Sequence, residues 1–190
     1  MLEAGVVLKH HDDGETLLRE AHALEQLHQA GLAVPALLGI KKNTLKLEYI
    51  EGPTYVDLVD TMTLEQAEGL AAWLAEYHRL SGMLRGDCNL RNFLWSQGQC
   101  VGVDFEDEGT VGEPESDMGK ILAFAVTYSP PFTPNKAACG RLLLQAFRAT
   151  GGDLAAIKDA YLVELAAMNQ RRQSMLVHPS AAALFFDGLC

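Results

Sequence analysis

One spacing constrains this chain more than any other: Asp87, then Asn92 five residues on, then Asp104 closing an apolar run. The first two lie in Arg85-Gly86-Asp87-Cys88-Asn89-Leu90-Arg91-Asn92, the densest polar cluster in the sequence. Phe93 to Trp95 and Cys100 to Val103 read as a short hairpin turning at Gln97-Gly98. A hairpin brings its second strand back to where the first began, so Asn92 and Asp104 fall at one end of two adjacent strands. Phosphoryl transfer needs such parts. One carboxylate must orient the attacking hydroxyl and accept its proton, and another, with a neutral oxygen ligand, must hold Mg²⁺ against the phosphates.

Upstream of this cluster the chain is short and β-rich. Val6-Val7-Leu8 reads as a strand ending at Lys9, and His10 to Gly14 as a turn. Apolar residues at Leu17, Leu18, Ala21, Leu24, Leu27 and Ala30 recur at threes and fours and predict a helix over 15–30, ended by Gly31. Leu37 to Ile40 and Leu45 to Ile50 are predicted strands around a Lys42-Asn43 turn, and Glu51-Gly52-Pro53 is a break. Thr63 with Gln66 resembles a capping box that opens a helix to about Leu80. Further helices are expected over about 115–126, 134–150 and 153–172, divided by Pro130-Pro131 and Gly151-Gly152. The expected class is α+β, with two lobes facing a cleft. Residues 1–51 are expected to form a small β-rich lobe and residues 52–190 a larger helical one.

A chain of 190 residues that is 48% hydrophobic can bury one core, so a single domain is expected. Its charge of −10 argues against non-specific nucleic-acid binding, which needs a basic surface, so no nucleic-acid partner is expected. Met1 to Gly5 lacks the pattern of a signal peptide, and no apolar run is long enough to span a membrane. Cys88, Cys100, Cys139 and Cys190 form no Cys-x-x-Cys pair, so reduced thiols in the cytoplasm are expected and no zinc site is supported.

The Asp87–Asn92 stretch resembles the catalytic loop of protein-kinase-like enzymes, and Asp104-Phe105-Glu106 looks like their metal-binding tripeptide. An acid at the third place of that tripeptide is similar to aminoglycoside phosphotransferases and lipopolysaccharide-core kinases. The resemblance runs from about Val6 to Phe124. It implies Asp87 as catalytic base, Asn92 and Asp104 as Mg²⁺ ligands, and Arg91 as a neutraliser of γ-phosphate charge. It implies Lys9 as the phosphate-binding lysine, paired with Glu20. Backbone groups of Glu48 and Ile50, in a hinge at 48–52, would meet adenine, and Asp117 would brace the catalytic loop. ATP and Mg²⁺ are the implied cofactors, and the fold implied is a two-lobe kinase-like domain with a reduced small lobe.

Two departures stand out. Arg85 replaces the histidine that supports the metal-binding loop in the family. Only eight residues precede Lys9, which leaves no room for two strands and a Gly-rich loop; a fragment or a minimal small lobe is expected, with the phosphates short of N–H donors. The segment from Asp104 to Pro114 is too short for a phosphorylation-ordered loop. The acceptor is therefore expected to be a small molecule, sugar or lipid. A nucleotide-binding pseudokinase and a small protein Ser/Thr/Tyr kinase stay open as alternatives. Tyr128 to Phe132 is a candidate acceptor lip, although a turn packed by aromatics is the plainer expectation. His22, His28 and His78 are read as helix-surface residues, and Cys88 as a packed side chain.

Overall fold

The computed structural model describes residues 2–3, 5–172 and 177–190. Met1 and Ala4, part of the stretch read for a signal peptide, lie outside the described residues. A four-stranded antiparallel sheet holds β1 (Leu2–Glu3), β2 (Val6–His10), β3 (Leu37–Lys41) and β4 (Thr44–Glu48) in the order β1-β2-β4-β3. Alternation in β4 turns Leu45 and Leu47 into the core while Lys46 and Glu48 stay exposed. Lys9 pairs with Leu45, so it stands within β2 rather than at its end. Among the described residues ahead of β2, the two-residue β1 extends the sheet.

Helix α1 (Gly14–Gln29) packs beneath the sheet. Asp13 caps it by accepting from the N–H groups of Glu15 and Thr16, both at 2.8 Å. Its buried stripe is Leu17, Glu20, Ala21, Leu24 and Leu27. Leu18 and Ala30, assigned to that stripe by spacing, are exposed, and an acid takes a place on it. The carbonyl of Ala33, just past the helix, accepts from Trp73 Nε1 at 2.8 Å and from the Gly102 N–H at 3.1 Å. These two bonds fasten the sheet layer to the helical part.

That part holds α2 (Tyr55–Leu58), α3 (Leu64–Ser81), a 3₁₀ turn at Leu90–Asn92, β5 (Phe93–Ser96), β6 (Gln99–Gly102), α4 (Glu115–Thr127), α5 (Pro134–Ala149), α6 (Leu154–Arg172) and α7 (Pro179–Asp187). The Thr63–Gln66 capping box is present at α3, and Gly82 closes that helix at φ 66°. Helix α4 lies against α5 and α6, with Ile121, Leu122, Ala125 and Val126 buried. Trp73 stacks on Tyr77 and meets Phe93 edge-on, which sets the aromatic floor under β5, β6 and Phe105. Among the described residues, no helix is long and apolar enough to cross a membrane.

Candidate active site

The β5–β6 hairpin carries the predicted cluster. Val103 N–H donates to the Asn92 carbonyl at 2.9 Å, so the residues flanking the hairpin stay paired past the strand ends. Asn92 Nδ2 donates to Asp87 Oδ2 at 2.8 Å, and Asn89 N–H donates to Asp87 Oδ1 at 3.1 Å. Both oxygens of Asp87 are thereby oriented. The same bond aims the amide nitrogen of Asn92 at Asp87, and its carbonyl oxygen is left as the group to face a cation.

Asp104 adopts φ 67°, a left-handed conformation that costs an L-residue about 1–2 kcal/mol. Arg85 holds it there. Its Nη2 donates to the carbonyls of Val103 (2.8 Å) and Asp104, and its guanidinium lies 4.5 Å above the Phe105 ring. Arg85 thus supports the segment around Asp104 by hydrogen bonding its backbone, although it replaces the histidine of the resembling family. Its own backbone N–H donates to Asp117 Oδ2 at 2.6 Å, and Gly86 N–H donates to Asp117 Oδ1 at 3.2 Å. Asp117 is fully buried. Burial alone would raise its pKa, but hydrogen bonds from His78 and the Arg85 backbone outweigh that and hold it below its ordinary value. His78 is therefore not a surface residue: its Nε2 sits 2.8 Å from Asp117 Oδ2 and its side chain is 10% exposed.

Lys9 is the hub of the other wall. Its ammonium meets Glu20 at 2.8 Å, Asp104 at 2.6 Å and Glu106 at 2.9 Å. Burial works against that charge, yet the three carboxylates together raise the pKa. Glu20 Oε1 also accepts from the Phe105 N–H at 3.0 Å, so one buried carboxylate joins β2, α1 and the segment after β6. His11, read as part of a turn, is buried, with Nε2 2.9 Å from Glu20 Oε2. Its signal was the period of two: it follows Lys9 by two residues and shares its side of the chain.

Between the walls lies a cleft of about 330 Å³. Val7, Leu47, Leu94 and Val103 make its apolar faces, and Lys9, Glu20, Asn92 and Asp104 its polar end. Glu48, Tyr49 and Ile50 line the opposite rim. Glu48 N–H is bonded to the Ala36 carbonyl at 2.9 Å, so Glu48 can offer a ligand its carbonyl rather than its N–H. Arg91 is exposed on the 3₁₀ turn and does not line this cleft. Tyr128 donates to Asn89 Oδ1 at 2.8 Å and stacks on Phe124, while Phe132 packs edge-on against Phe185. Cys88 is fully buried, and burial pushes its thiol pKa well up, as befits a packed side chain.

A family model described as the RIO domain matches residues 14–119. No curated protein matches the chain by sequence. Among solved structures it is similar to the aminoglycoside phosphotransferase APH(2'')-Ib with ADP bound: TM-score 0.64, 15% identity, 97% of this chain and 85% of that one covered. The gentamicin complex of APH(2'')-IIa gives TM-score 0.60 at 15% identity, covering 95% and 85%. The streptomycin–ATP complex of the same enzyme gives 0.62 at 15% identity, covering 95% and 84%. The fold is protein-kinase-like, with a reduced small lobe and a helical remainder.

Proposed function

We propose that this chain, which belongs to the RIO domain family, is an ATP- and Mg²⁺-dependent phosphotransferase acting on a hydroxyl of a small-molecule, sugar or lipid acceptor. One observation carries the reading: Lys9, Glu20, Asn92 and Asp104 converge on the polar end of an apolar cleft in a kinase-like fold. The donor set suits the metal. Asp104 supplies a half-exposed carboxylate and Asn92 an amide oxygen, hard ligands of the kind Mg²⁺ takes. When bound, Mg²⁺ would neutralise charge on the phosphates.

The chain's own residues supply the rest of the chemistry. The apolar faces take the adenine, with the Glu48 carbonyl and the Ile50 backbone at the rim. Lys9, kept protonated and oriented by Glu20, binds phosphate oxygens. Asp87, held through both oxygens by Asn89 and Asn92, orients the acceptor hydroxyl and receives its proton. Arg91, exposed four residues past Asp87 and outside the cleft lining, is the proposed neutraliser of charge on the transferred phosphate. The division into residues 1–51 and 52–190 follows the same reading, with the cleft at their junction.

Thermal melting with ATP and Mg²⁺ tests nucleotide binding: ligand at a hundredfold its Kd stabilises by about 2.7 kcal/mol. Asp87→Ala should keep that shift and lose about 10²–10⁴ in phosphoryl transfer or ATP hydrolysis. No shift at millimolar Mg²⁺–ATP would sink the proposal. A shift without any turnover by the native chain would leave a nucleotide-binding scaffold.

A further inference from the structure

We propose that His11, Glu20 and Glu106 form a second cation site, separate from Asn92 and Asp104, built for a zinc-class transition-metal ion. The three residues come from distant places: the end of β2, the buried face of α1, and the segment after β6. One ligand atom from each lies within 4.8 Å of the others. This is not a solvated acidic patch. The side chains of His11 and Glu20 are 3% and 1% exposed, and only Glu106, at 44%, faces solvent.

Two buried atoms there lack hydrogen bonds. His11 Nε2 and Glu20 Oε2 stand 2.9 Å apart but are not aligned as donor and acceptor. Polar atoms this deeply buried are ordinarily satisfied. Two ligands about 2 Å from one tetrahedral ion stand roughly 3.3 Å apart, close to this separation. Glu20 meets Lys9 and the Phe105 N–H through Oε1, so Oε2 remains for the ion.

Charge points the same way. Glu20, Asp104 and Glu106 surround the single ammonium of Lys9. Arg19 approaches from outside, but it donates to the Glu106 carbonyl and pairs with Glu108 and Glu15 rather than with these carboxylates. A divalent ion beside neutral His11 would bring three negative charges and three positive charges into balance. An imidazole with two carboxylates is a donor set for Zn²⁺, with one position open to water. Mg²⁺ favours all-oxygen, six-coordinate sites and is matched better by Asp104 and Asn92. A bound ion would pin Glu20 from behind, and with it the partner of Lys9.

The test uses the full chain without nucleotide, titrated with Zn²⁺ alone by calorimetry and followed by thermal melting. The native chain should take up one ion and melt higher. His11→Gln and Glu106→Gln should each weaken uptake by at least about tenfold, the loss seen on removing even an outer-shell partner. Glu106 is half-exposed, so its variant tests the site even if the His11 variant does not fold. Asp104→Asn should leave Zn²⁺ uptake in place, which separates this site from the Mg²⁺ ligands. With Co²⁺ substituted, visible bands free of thiolate charge transfer are expected. No uptake by the native chain, uptake as tight as the native chain's in both variants, or a thiolate band would each overturn the assignment. None of these outcomes bears on ATP binding, so the proposed activity stands or falls separately.

Discussion

Arg85→Met isolates what the guanidinium does for Asp104. Methionine keeps an apolar stem on Phe105 and removes every N–H. Nη2 reaches two carbonyls, Val103 and Asp104, from a single nitrogen, so the pair counts as one shared charge-assisted contact of about 1.5–3 kcal/mol. The cation–π contact on Phe105 adds about 0.5–2 kcal/mol, of which a thioether returns part. Arg85 Nε has no hydrogen-bond partner, and removing a buried cation with an orphaned donor offsets some of the loss. A net destabilisation of about 2–3 kcal/mol follows, measured by urea unfolding. The functional effect is separable. Once unpinned, Asp104 can relax from φ 67°, and restoring that conformation costs the about 1–2 kcal/mol estimated above. Affinity for Mg²⁺–ATP should then fall about 5- to 30-fold by calorimetry. A folded Arg85→Met protein that binds Mg²⁺–ATP within about twofold of the native chain would refute the idea that Arg85 holds the ligand in place.

Asp117→Asn should cost about 3 kcal/mol at neutral pH, because a carboxylate that accepts from Arg85 N–H and Gly86 N–H and pairs with His78 loses its charge in a dry site. The folded pKa lies below the ordinary 3.8, so this stabilisation is present above pH 3.8 and is lost as pH falls through the folded value. Native and variant urea midpoints should therefore converge in acid, and a gap that stays constant would contradict the assignment. Gly102→Ala should destabilise by about 1–3 kcal/mol, since an added methyl would enter the Trp73 ring, itself fixed by Ala33 and Tyr77. That corresponds to a Tm lowered by about 2–4 °C per kcal/mol, and an unchanged Tm would mean that the ring can yield.

Local patterns in the sequence foretold local structure. Leu45 and Leu47 alternate, Thr63 and Gln66 sit at capping-box spacing, and Gln97-Gly98 divides two apolar runs; each became the element expected. Helix α7 escaped because Ala181 to Phe186 is apolar on every side and shows no period, and α2 is only one turn long. In the site, Asp87, Asn92 and Asp104 were legible because a hairpin links them. Glu20 came from the family resemblance alone; its burial on the stripe, three residues after Leu17 and four before Leu24, was a spacing signal the apolar pattern passed over. His78 and Arg85 took their roles from partners that only tertiary folding supplies: Asp117 for the first, the Val103 and Asp104 carbonyls for the second. A histidine on a helix carries no local mark of an acid that approaches from another helix.

The same distinction bears on how an acidic chain can serve a polyphosphate. Composition gives a charge of −10, which by itself speaks against attracting ATP. The local arrangement answers differently. Lys9 spends its ammonium on Asp104 and Glu106 as well as Glu20, so the lysine occupies the carboxylate that the proposed Mg²⁺ would use. On the proposed reading, a metal on Asp104 would displace Lys9, and a phosphate would receive the freed ammonium, so the two would be expected to bind together. Either one alone meets a cost, the metal from the nearby lysine and the bare phosphate from Asp104 and Glu106. The three-carboxylate arrangement around Lys9 therefore predicts synergy: calorimetry should find ATP bound more weakly without Mg²⁺ than with it, and equal affinity in both conditions would refute the proposed roles of Lys9 and Asp104.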